Sequence, residues 1–65
     1  MNPRKSSRSP LPLMSTEELA SYLNVPVRTI EKWREKGTAP RGFKVGVGWR
    51  YDLDDVRSWL AQRAA

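Results

Sequence analysis

Arg28, Lys32 and Lys36 stand four residues apart within the stretch PVRTIEKWREKG, which runs from Pro26 to Gly37. At about 100° per residue they fall on one face of a helix, and the chemistry open to three such cations is the recognition of an anion. Like charges at this spacing repel one another on an isolated helix, so an anionic partner would relieve a local cost. An ordinary solvated basic face is the plain alternative. The helix that must hold them has its own signals. Val27, Ile30 and Trp33 lie within about a third of the circumference on the opposite side, as an apolar stripe packed on a small core requires. Pro26 can begin such a helix and Gly37 can end it in the left-handed conformation.

Other chemistry is poorly supplied. The chain has 65 residues, no cysteine and no histidine, so the usual acid–base side chain and the common metal ligands are missing together. A chain this size holds one small domain at most, and no disulfide can staple it. No catalytic residue, metal site or cofactor is expected, and the protein is read as not an enzyme. No apolar run is long enough for a membrane span, and the first basic residues precede serine and proline rather than a signal core. A cytoplasmic protein is therefore expected.

The net charge of +5 is unevenly spread. Residues 28–50 hold Arg28, Lys32, Arg34, Lys36, Arg41, Lys44 and Arg50 against Glu31 and Glu35, a local +5, while Glu17 and Glu18 give residues 15–27 a charge of −2. A positive block beside acidic segments is the pattern of a nucleic-acid footprint, whereas charge present only for solubility is more evenly mixed.

Residues 1–12 combine Arg4, Lys5 and Arg8 with serines and prolines and show no periodicity, which reads as a flexible basic N-terminal arm. Such an arm either touches phosphate or is merely solvated. The ordered domain is expected over residues 13–65. Ser15 and Glu18 have capping-box spacing, with Met14 and Leu19 at staple positions, so a first helix should start there and continue to Leu23. Asn24-Val25-Pro26 breaks it and leads directly into the basic helix, which is helix-turn-helix spacing. Beyond Gly37 the period changes to alternation, with Phe43 and Val45 astride Lys44 and with Trp49 and Tyr51 astride Arg50. With Gly46-Val47-Gly48 between them, the two runs predict a β-hairpin, a wing whose Arg41, Lys44 and Arg50 face no acid between Gly37 and Tyr51. Asp52 should cap a last helix reaching about Gln62, with Asp54 and Asp55 at its positive end, so this acidic cluster reads as capping rather than metal binding. The expected core is Leu19, Leu23, Ile30, Trp33, Val45, Trp49, Val56 and Leu60, with the three tryptophans forming much of it.

These residues, S-T-E-E-L-A-S-Y-L-N-V, R-T-I-E-K-W from Arg28, the G-T-A-P link, and G-W-R-Y followed by D-L-D-D-V-R-S-W-L, resemble the MerR-like winged-helix domains of phage excisionases and small helix-turn-helix regulators. The resemblance spans roughly Met14 to Leu60. It implies a mainly α winged helix-turn-helix fold with a small β-hairpin, whose second helix enters the major groove of DNA while the wing meets the adjacent minor groove or backbone. It points to Arg28, Thr29 and Lys32 on the helix and to Lys44 and Arg50 on the wing. Arg28 and Lys32 would then read base edges, with Lys36, Lys44 and Arg50 positioned on phosphate and Arg41 in the same basic wing. It also implies an excisionase, or recombination directionality factor, that bends attachment-site DNA so that a tyrosine integrase carries out excision. The chain has no heptad pattern, so it should be a monomer when free. On DNA the family's copies line up head to tail, and a contact of that kind generates an open filament. A small transcription regulator built on the same domain is the alternative.

Overall fold

The computed structural model describes residues 13–63, so the basic arm expected over residues 1–12 lies outside the described residues. The elements run β1 (Met14–Ser15), α1 (Thr16–Leu23), α2 (Val27–Lys36), β2 (Phe43–Val45), β3 (Gly48–Tyr51) and α3 (Leu53–Arg63). Three helices and a small antiparallel sheet make a winged helix-turn-helix domain. Among the described residues no helix is long and apolar enough to cross a membrane.

Local chemistry accounts for both ends of α1. The amide of Ser15 donates to Glu18 Oε1 at 2.8 Å, and Ser15 Oγ accepts from the Glu18 amide at 3.1 Å, which closes the capping box. Glu17 and Glu18 stand at the positive end of the helix dipole. The helix stops because Asn24 enters the left-handed region at φ 60°, where its amide reaches the carbonyls of Ala20 and Ser21. Asparagine is one of the few non-glycine residues that visit this region readily. Only Val25 and Pro26 separate Asn24 from the start of α2, so the turn is as short as its sequence suggests.

The sheet has the order β1-β3-β2, with both pairings antiparallel. β1 is an addition to the expected two-stranded wing. Met14 pairs with Tyr51 and Ser15 with Arg50, so the entry to α1 is stitched onto the hairpin. In the hairpin Phe43 pairs with Arg50, Lys44 with Trp49 and Val45 with Gly48. Gly46 has φ 66° while Val47 does not have a positive φ, the signature of a two-residue type II′ turn.

Directly opposed residues project to the same face of an antiparallel pair. Tyr51 is wholly buried, so Met14, Lys44, Trp49 and Tyr51 share the inner face, while Ser15, Phe43, Val45 and Arg50 share the outer one. This corrects one core expectation: Val45 is 51% exposed. Its place opposite Gly48 on the outer face explains the difference.

The buried centre consists of Leu19, Ala20, Ile30, Tyr51 and Val56. Met14, Leu23, Val25, Val27, Trp33, Trp49 and Leu60 pack around it, partly buried. The tryptophans therefore form a shell rather than the middle, and Tyr51, absent from the expected core, is its largest fully buried side chain. An indole is hard to bury completely and keeps one N–H in need of an acceptor. Trp59 meets that need on the Thr38 carbonyl at 2.9 Å. Its ring lies 5.5 Å from that of Trp33, and the Arg63 guanidinium sits over both, at 4.7 Å from Trp59 and 5.2 Å from Trp33. The acidic start of α3 acts as a cap: Asp52, 2% exposed, accepts from the Asp54 amide at 3.1 Å through Oδ2.

Candidate nucleic-acid interface

α2 starts without side-chain help. Pro26 holds the N-cap position in an extended conformation (φ −66°, ψ 151°), its carbonyl accepting from the Thr29 amide at 3.0 Å. A proline here loses nothing, since the first amides of a helix lack intrahelical partners anyway. The other end closes on Gly37 at φ 76°, with the Thr38 amide bonded to the Trp33 carbonyl at 2.8 Å. A side chain at Gly37 would be strained by that φ, so the glycine sets where the helix stops. Thr38 in turn accepts from Trp59, so the end of α2 is tied to α3.

Between these ends Arg28, Lys32 and Lys36 are all exposed, and none makes an ion pair among the described residues. Glu31 and Glu35 are exposed as well. At about 100° per residue they fall on one flank of the cationic stripe, while half-buried Thr29 falls on the other. α2 therefore presents a row of extended basic side chains with a short hydroxyl at its edge. That is the equipment for phosphate oxygens and for acceptor atoms on base edges.

The hairpin divides its cations between two faces. Lys44 is exposed and lies on the same face as Trp49, its Nζ 5.8 Å from the centre of that ring. Arg50 lies on the outer face, with one guanidinium nitrogen donating to the Trp49 carbonyl at 2.9 Å. Arg41, just before β2, is exposed and stacks over Phe43 at 5.1 Å. The structure thus brings Lys44 to the side where α2 packs, and it groups Arg41 with Phe43 and Arg50 on the other side of the same small sheet. The hairpin therefore presents a cation on each of its faces. Val47 stands at its tip, 100% exposed.

One residue of the basic block has a placement that composition does not reveal. Arg34 falls between Ile30 and Val27 on the helical wheel at about 100° per residue, inside the apolar stripe rather than on the basic face. It is half-buried, its guanidinium donates to Tyr51 Oη at 2.8 Å, and it lies over the Trp49 ring at 5.0 Å. A cation within an apolar stripe was the available signal that this side chain has an internal partner.

A basic helix displayed after a tight turn, braced by a hairpin, defines the class: a winged helix-turn-helix domain. Residues 13–64 match the model of the helix-turn-helix domain family, and the chain belongs to that family, which includes excisionase-like DNA-binding proteins. Membership points to sequence-specific binding of DNA. No curated protein matches the chain in sequence.

Proposed function

We propose that the chain is a non-catalytic architectural DNA-binding protein acting as a phage excisionase of the MerR-like type, which redirects a tyrosine integrase towards excision. The observation that carries the reading is the exposed cationic stripe of Arg28, Lys32 and Lys36 on α2, free of acidic partners among the described residues and set beside a hairpin with Lys44 on the helix side. In this reading Arg28, Thr29 and Lys32 read bases, and Lys36, Arg41, Lys44 and Arg50 hold phosphate. The excisionase assignment rests on the resemblance of the T-I-E-K-W helix and the G-W-R-Y-D-L-D-D-V segment to that family.

The size of the domain supports a role for several copies. A single short helix and a small wing offer little surface for a highly specific site, so useful occupancy needs neighbouring copies on repeated sites. A monomer in solution that lines up head to tail on DNA meets that need. Bending a site of 20–30 base pairs costs on the order of 1–6 kcal/mol, which phosphate contacts from several copies can offset. The test is recombination between left and right attachment sites by integrase, with and without the purified chain, beside gel shifts on DNA carrying increasing numbers of repeats. Stimulated excision with cooperative, bent complexes is expected. Unchanged excision together with non-cooperative binding at promoter DNA would replace this reading with that of a transcription regulator.

A further inference from the structure

We infer that Arg34 is a positioning residue: it is a strut between the DNA-facing helix and the wing, and it sets their relative placement without contacting DNA. The inference deepens the proposed function and rests on its reading that α2 and the hairpin meet the same duplex.

The geometry gives Arg34 two attachments to one strand. Its hydrogen bond ends on Tyr51 Oη, and its guanidinium covers the ring of Trp49, two residues earlier on the inner face of β3. The Tyr51 ring is wholly buried, so its hydroxyl is a fixed point and not a mobile acceptor. Two contacts at different places along β3 restrain both the distance and the tilt of the hairpin against α2. A hydrogen bond with a charged donor is stronger than a neutral one, and its loss leaves a partly buried guanidinium unsatisfied.

The same ring carries a wing cation. Lys44 Nζ and Arg34 Cζ lie 5.8 and 5.0 Å from the centre of Trp49, so the lysine assigned to phosphate rests on the platform that Arg34 braces. Helix and wing held on one rigid frame turn the second DNA contact into an intramolecular event with a high effective concentration. A loosened frame would leave every contacting side chain present while weakening their joint action. Arg34 would then influence DNA affinity through Trp49 and Tyr51.

The test uses the full chain with Tyr51→Phe, which keeps the buried ring and removes only the hydroxyl, and with Arg34→Gln, which removes the charge. In the free protein, amide hydrogen exchange of residues 43–51 should quicken by about tenfold in Tyr51→Phe, the order expected for one charged hydrogen bond, with the amides of α1 and α3 changing far less. On duplex DNA, at a temperature where each variant is folded by circular dichroism, affinity should fall by about tenfold in both variants at an unchanged salt slope. Uniform acceleration of exchange across the domain would mean a merely structural bond, and unchanged exchange would mean no strut; either overturns the inference. So would a salt slope lowered by about one in Arg34→Gln, because Arg34 would then be a phosphate contact. If the wild-type chain shows no salt-sensitive duplex binding, it is the proposed function that fails, and the exchange pattern alone still decides whether the strut exists.

Discussion

Gly42→Ala adds one methyl group at a place that is already filled. A Cβ built on Gly42 would lie 2.7 Å from Tyr51 Cε2 and 3.2 Å from both Cδ2 and Cζ. The ring cannot easily move aside, because it is wholly buried and its hydroxyl is held by Arg34. Inserting a methyl group into a well-packed core typically costs about 1–3 kcal/mol. For a domain of this size each kcal/mol moves the melting midpoint by about 4–8 °C, so a fall of roughly 5–20 °C is expected. Thermal unfolding followed by far-ultraviolet circular dichroism measures it directly. Gly46→Ala is the companion variant: its Cβ would meet nothing within 4 Å, and its cost comes instead from a backbone φ of 66°. A smaller partner at position 51, in Tyr51→Leu, should relieve much of the Gly42→Ala penalty and none of the Gly46→Ala penalty, since only the first pair is in contact. A Gly42→Ala protein that melts within about 2 °C of wild type, a shift too small for a 1 kcal/mol penalty, would refute the close packing described for Tyr51.

Three further outcomes follow from the interface and the caps. Arg28→Ala should cost about 1–3 kcal/mol on the cognate site and relax sequence preference, whereas Lys44→Ala should weaken all duplexes alike and flatten the salt slope by about one unit; competition titrations against random DNA at several salt concentrations separate the two. Ser15→Ala removes one half of the capping box and should destabilise the domain by about 1 kcal/mol, read as a lower melting midpoint, with Thr or Asp at position 15 restoring most of it. Arg63→Ala uncovers the indoles of Trp33 and Trp59 and should lower stability by about 0.5–1 kcal/mol per lost cation–π contact, with a change in tryptophan fluorescence and no change in the salt slope of DNA binding.

The elements that local chemistry can specify were legible in the chain. Ser15 and Glu18 name the start of α1, Pro26 and Gly37 bracket α2, Asp52 marks the start of α3, and Gly46 supplies the turn of the wing, because each acts on groups within a few residues of itself. The exposure of Arg28, Lys32 and Lys36 was equally legible, since helical period alone places them opposite Val27, Ile30 and Trp33. Tertiary structure decided the rest. Alternation puts Phe43 and Val45 on one face of β2 and Trp49 and Tyr51 on one face of β3, but only the pairing register says whether those two faces coincide, and here they do not. Burial of Tyr51 settled which face turned inward, sending Val45 out beside Gly48 and Lys44 onto Trp49. β1 was hidden because two residues carry no period and Met14-Ser15 already read as a helix cap, while pairing with β3 is a contact across more than thirty residues. For Arg34, its place inside the apolar stripe signals an internal partner without naming it. Its partner, Tyr51, lies 17 residues away and comes within reach only when the hairpin folds back on α2, so no local signal could name it.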